Sequence, residues 1–150
     1  MAKELFVTKG WFTDDMQSAG QDLVNELDKS EGAVSAAFWV LEPEKKWELV
    51  IVSNLVTTDG PRRFYQRIND INNKSALSDK SIISLHDIRV LSERSRVFVD
   101  IVDNFSHGLL LQNTRLGSNF IGDLYVEDMF IYKLDMKLVS NHRAEQLNYA

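Results

Sequence analysis

The sequence predicts a single α+β domain: a mixed or mainly antiparallel sheet of about five strands with about three helices packed on it, in the order α-β-β-α-β-α-β-β. Three observations carry that expectation. Met16, Ala19, Leu23, Val24 and Leu27 form an apolar stripe at helical spacing. Two apolar runs then flank the turn sequence Glu42-Pro43-Glu44-Lys45-Lys46, which reads as a β-hairpin. No linker, repeat or low-complexity tract divides the 150 residues, the usual size of one domain. The domain is expected to occupy residues 1–139, with a polar C-terminal tail over 140–150 that suits fraying or partner binding.

After a short apolar start around Leu5 to Phe12, Thr13 is placed to cap the first helix. Asp14 and Asp15 in its first turn suit the positive end of the helix dipole, and Gly32 is the expected stop. Ala33 to Leu41 and Trp47 to Val56 are the strands of the hairpin. Leu49-Val50-Ile51-Val52 is apolar without alternation, so its strand should be covered on both faces and lie centrally in the sheet. Trp39 and Trp47 flank the turn closely enough to meet across it.

Asp59-Gly60-Pro61 opens a second helix, with Phe64, Ile68 and Ile71 as its buried stripe and Arg63, Arg67, Asp70 and Lys74 facing elsewhere. Asn72 to Lys80 reads as a polar loop. Ile82 to Leu91 follows a two-residue period broken at His86-Asp87, where a bulge fits. Beyond Ser92, the residues Val97, Phe98, Ile101, Val102 and Phe105 fit a helix closed by Gly108. The alternation of Val97, Val99 and Ile101 fits a strand as well, and period alone does not separate the two. Leu109 to Leu134 should hold two strands joined through Gly117-Ser118-Asn119 or Gly122-Asp123.

Composition narrows the chemistry. Hydrophobic residues make up 44% and charged residues 26%, the mixture of an ordinary globular protein. The absence of cysteine excludes disulfides, thiolate zinc sites, iron–sulfur clusters and cysteine nucleophiles, and fits a cytoplasmic, reducing compartment. No stretch reaches the ~20 apolar residues of a membrane span, so no membrane association is expected. The net charge of −5 argues against a surface built wholly to embrace phosphate, yet Pro61 to Arg96 holds eight Lys or Arg against four Asp or Glu.

No catalytic constellation stands out. His86, His107 and His142 lack helical metal-site spacing; His107 beside Gly108 suits a helix C-terminus, and adjacent His86 and Asp87 point to opposite faces of a strand. Asp123, Glu127, Asp128 and Asp135 with Lys133 and Lys137 invite comparison with metal-dependent nucleases, but protective edge-strand charges explain them equally. No phosphate loop and no nucleophile elbow exist. Neither a catalytic residue, a metal ligand nor a cofactor is therefore assigned. The most concrete binding surface is Arg62, Arg63, Tyr65 and Arg67, where guanidinium groups beside a helix N-terminus would hold a phosphate, a carboxylate or a partner, and Tyr65 could stack on a base.

Ala36-Ala37-Phe38-Trp39, Trp47-Glu48-Leu49-Val50-Ile51-Val52-Ser53, Gly60-Pro61 with Tyr65-Gln66-Arg67-Ile68, and Val126-Glu127-Asp128 with Ile131-Tyr132 together resemble a family of short uncharacterised bacterial proteins. The resemblance implies the order of elements and carries no activity or catalytic residue. The polar tail after Val139 departs from it. The leading functional expectation is a non-enzymatic accessory or interaction module that binds another protein or itself. The alternative is a nucleic-acid-binding protein or weak metal-dependent nuclease using the basic segment 61–96.

Overall fold

A computed structural model of the chain describes residues 4–29, 34–75, 80–104, 110–121 and 123–135. Helix α1 spans Asp14–Lys29, β1 Val34–Leu41, β2 Glu48–Ser53, α2 Asn54–Asp59 and α3 Pro61–Ser75. A 3₁₀ turn at Leu85–Asp87 leads into β3, Ile88–Leu91, followed by α4, Arg96–Asn104. Four strands complete these elements: β4 Leu110–Leu116, β5 Asn119–Ile121, β6 Leu124–Val126 and β7 Asp128–Asp135. The architecture is α+β. A five-stranded mixed sheet runs in the order β3-β2-β1-β7-β4, and β5 and β6 form a separate two-stranded sheet. Among the described pairs of this sheet, β2–β3 is parallel, whereas β1–β2, β1–β7 and β4–β7 are antiparallel.

Local chemistry sets the boundaries. Thr13 caps α1 as expected, its Oγ1 accepting from Met16 N at 3.1 Å. The strand expected to reach Val56 stops at Ser53 instead, because the Ser53 hydroxyl accepts from Leu55 N at 3.1 Å and starts the short α2. Gly60 then ends α2 at φ 88, a conformation that side chains rarely adopt, and Pro61 takes the first position of α3. The break at His86-Asp87 is a 3₁₀ turn capped by Ser84 rather than a bulge, so the strand is confined to Ile88–Leu91, and Ile82 makes only an isolated parallel bridge with Glu4. The ambiguous segment after Ser92 is a helix, fixed by Ser95, whose hydroxyl accepts from Phe98 N at 3.2 Å. Its expected end at His107-Gly108, the stop at Gly32 and the tail after Val139 lie outside the described residues.

One register runs from Leu110↔Asp135 through Leu116↔Met129 to Ile121↔Leu124, so β4–β5 and β6–β7 are a single long hairpin reversing beside Asp123. Its tip leaves the main sheet after Gly117-Ser118, and Glu127 N donates to Leu41 O at 2.7 Å where the strand rejoins. Two strands were expected here; the departure of the tip divides each in two.

Alternation in β1 and β2 divides the core into two layers. Ala37, Trp39, Leu49 and Ile51 face α1 and α3, whereas Ala36, Phe38, Val50 and Val52 face α4 and the hairpin tip, through Phe98, Ile101, Ile121 and Val126. Both central strands are therefore covered on both sides, as the uninterrupted apolar run predicts. Helix α1 sits close enough to the sheet for Tyr132 Oη to donate to Gln17 O at 2.7 Å while accepting from Trp39 Nε1 at 2.8 Å.

Candidate functional site

The surface expected from sequence does not assemble as one site. Arg62 and Arg63 are exposed at the start of α3, at the end of the sheet where β2 finishes. Arg67 is half-buried and pairs with Asp59 at 3.4 Å. Tyr65 turns its hydroxyl to edge strand β3, donating to Ile88 O at 3.2 Å and accepting from Val90 N at 3.3 Å. These bonds satisfy backbone groups of an outer strand on the side that, among the described residues, has no strand partner, so the side chain closes an edge. Two further cations of the basic segment lie elsewhere: Arg89 pairs with Glu48 at the opposite end of β2, and Arg96 lies 3.9 Å from Asp100 on α4.

Two of the hairpin acids stand at opposite ends of one strand. Asp128 begins β7 and Asp135 ends it, a separation of roughly 23 Å along an extended strand. Lys133 lies 3.7 Å from Asp28 of α1. Among the described residues, no group of three His, Asp or Glu side chains could hold a metal ion. His86 is exposed while Asp87 is buried, so this adjacent pair does diverge.

Two other features gather at the end of the sheet where β1 finishes and β2 and β3 begin. The first is the N-terminal strap. Leu5 N donates to Ile82 O at 2.9 Å, Trp47 N to Thr8 O at 3.2 Å and Trp47 Nε1 to Gly10 O at 2.9 Å, fixing the strap backbone against the sheet end. Val7 is buried beneath it, and the Phe12 ring lies 5.9 Å from Trp39, 5.1 Å from Trp47 and 5.3 Å from Phe130. Phe12 therefore joins the two tryptophans expected to meet across the turn. Arg115 lies over the Phe12 and Trp47 rings at 5.3 and 5.8 Å and grips Asp128 with both arms of its fork, at 2.9 and 2.5 Å. Partial burial pushes the Asp128 carboxyl up, but the Arg115 hydrogen bond, the Met129 amide and the Arg115 charge outweigh it and hold the group below its usual range. Hydrogen bonding to Asp128 raises Arg115 in turn.

With these neighbours packed inward, Phe6 and Trp11 are left outward, each 90% exposed. Lys9, also exposed, stands between them. Tryptophan is among the residues most buried on average, so its display on an anchored strap is unusual.

The second feature is an ionic cleft of about 330 Å³ on the α4 side of the sheet, lined by Val40, Glu42, Lys45, Lys46, Glu48 and Arg89. Val40, Glu48 and Arg89 come from three adjacent strands. The others come from the β1–β2 turn, in which Lys45 N donates to Glu42 O at 3.1 Å and Glu44 holds φ 63. Each carboxylate has one cation: Glu42 meets Lys45 at 2.8 Å, Glu48 meets Arg89 at 2.5 Å, and Asp87, behind the wall, meets Lys46. The Glu42 and Asp87 side chains are only 10% and 7% exposed. Sequence reasoning missed this cleft because the charges of its turn, between Val40 and Glu48, look like ordinary solvated surface, and only the sheet brings Arg89 beside them. The turn sequence itself was legible, but the left-handed backbone of Glu44 after Pro43 shows only in the structure.

No family model matches the chain, and no curated protein or solved structure is significantly similar to it. Among the described residues, no helix is long and apolar enough to cross a membrane.

Proposed function

We propose that this chain is a non-enzymatic interaction module of the bacterial cytoplasm that binds a partner protein through the N-terminal strap. The supporting observation is the outward display of Phe6 and Trp11, each 90% exposed, on a backbone pinned to the sheet end. Burying an aromatic side chain removes about 150–250 Å² from water, at roughly 25 cal/mol per Å². Because the strap is already anchored, little further ordering opposes that gain. Lys9 between the rings favours a groove that is apolar at its centre and acidic at its rim.

The test places a photo-crosslinker at Lys9 in the full chain, in cells of its source, and identifies adducts by mass spectrometry; the mass of the purified protein in solution is measured alongside. The expected result is one dominant protein adduct that is lost in the Phe6→Ser and Trp11→Ser variants, each weakening the reconstituted complex by about thirtyfold. An adduct with a second copy would identify the partner as the chain itself. A monomer with no adduct that depends on the two rings would refute the reading. Recovery of nucleic acid that falls steeply with salt and with Arg62, Arg63 and Arg67 substitutions would replace it with the alternative.

A further inference from the structure

We propose that the ionic cleft beside the β1–β2 turn binds a small zwitterion, a molecule carrying a carboxylate and an ammonium group a few bonds apart, such as a short amino acid. The cleft is distinct from the strap and would serve as a ligand site in its own right. Its volume of about 330 Å³ falls at the low end of the ~300–1,000 Å³ usual for small-molecule pockets.

The charge pattern selects among ligand classes. A simple anion would meet Lys45, Lys46 and Arg89 but also face Glu42 and Glu48 on the same wall. A metal cation would find three positive groups and, among the described residues, no cluster of three ligating side chains. An apolar ligand would find Val40 as the one apolar side chain of the lining and would cover five charged groups without pairing them. A zwitterion matches both signs. Inserted at the Glu48–Arg89 pair, it would exchange one ion pair for two, its carboxylate accepting from the guanidinium and its ammonium donating to Glu48, with no charge left uncompensated. Lys45 and Glu42 can engage it in the same way from the turn, and a small side chain would rest on Val40.

Two further observations mark the cleft as a built site. Asp87, 7% exposed in its side chain, pairs through Oδ1 with the Lys46 ammonium, tying the turn to the start of β3. Glu44 carries a left-handed backbone conformation at the rim, in the turn that presents Glu42, Lys45 and Lys46. Such strain gathers at ligand sites, where the surroundings hold it in place.

The test is titration of the isotope-labelled full chain with glycine, L-alanine and β-alanine, and separately with acetate and methylammonium, followed by amide NMR shifts. The expected result is saturable shifts at Val40, Glu42, Lys46, Glu48 and Arg89 with at least one zwitterion, at an affinity about tenfold or more above either half-probe. Glu48→Gln and Arg89→Met should each weaken binding by about tenfold, whereas Trp11→Ser should leave it unchanged. Should either cleft variant unfold, the half-probe comparison on the unaltered chain decides alone. Absence of saturable shifts with all three zwitterions, equal binding of acetate, or folded cleft variants that bind normally would each overturn the proposal.

Discussion

Replacing Gly20 by alanine tests the closest contact between helix and sheet. A Cβ built at Gly20 would lie 2.7 Å from Cζ and 2.8 Å from Cε2 of Tyr132, and closer still to its hydroxyl oxygen. Tyr132 cannot swing away cheaply, because it is 3% exposed and its hydroxyl is held between Trp39 Nε1 at 2.8 Å and the carbonyl of Gln17 at 2.7 Å. Three effects compete. Alanine gains about 1 kcal/mol of helix propensity over glycine. Overpacking costs about 1–3 kcal/mol. Pushing α1 or the ring aside strands buried donors of Tyr132 and Trp39, for a further ~1–3 kcal/mol. The losses win, by about 3 kcal/mol, which in a domain of this size lowers Tm by roughly 6–12 °C. Urea unfolding followed by tryptophan fluorescence measures the change directly. In a Tyr132→Phe background the same substitution should cost at least about 0.5 kcal/mol less, since the nearest clashing atom is gone. Unchanged or increased stability of Gly20→Ala would refute the seating of α1 on Tyr132.

Two other expectations concern tyrosines. Burial is the largest influence on Tyr132 and raises its hydroxyl well above the ordinary tyrosine value of 10.0, with Asp22 adding to the rise and the Trp39 hydrogen bond opposing it. Above about pH 10 the unfolded chain loses this proton while the native chain keeps it, so the contribution, fully present below that pH, is lost as pH rises. Denaturant midpoints measured from pH 8 to 11 should fall along the alkaline limb, and less steeply in Tyr132→Phe; identical limbs would contradict the assignment. At the sheet edge, Tyr65→Phe removes the hydroxyl shared by Ile88 O and Val90 N and should cost about 1 kcal/mol. Amide exchange at Val90 should accelerate about fivefold, and an unchanged rate would show that the hydroxyl does not protect that edge.

Much of the fold was legible because local rules and burial agree. The uninterrupted Leu49–Val52 run indicated a strand covered twice, and it lies between α1 and α3 on one face and α4 on the other. Thr13 capped α1 where the pattern began. Differences arose where a single hydroxyl overrode a period: Ser53 turned an apolar continuation through Leu55 and Val56 into a helix, and Ser95 decided between the helix and strand readings of Val97 to Ile101. The division of the hairpin was not legible, because its tip leaves the sheet to cover α4, a tertiary contact that leaves no mark on alternation.

The candidate surfaces were harder to read, for reasons visible in particular residues. In the strap, Leu5, Phe6 and Val7 form an apolar run with nothing local to say which side chain faces the core; Val7 is buried and Phe6 is not because Leu5 N is tied to Ile82, which is distant in sequence. Tyr65 and Arg67 looked like a binding surface because they lie beside other cations on a helix. One is drawn to an edge strand and the other to Asp59 by contacts the helical period does not encode. Most of the cleft is one hairpin turn with its flanks, Val40 to Glu48, and only strand registry sets Arg89 beside Glu48, so that ion pair exists across the sheet and not along the chain. Function that depends on long-range registry is therefore recovered only once the sheet is assembled. For this protein both surfaces meet at one end of it, the strap bound to Trp47 and the cleft formed by the turn just before that residue.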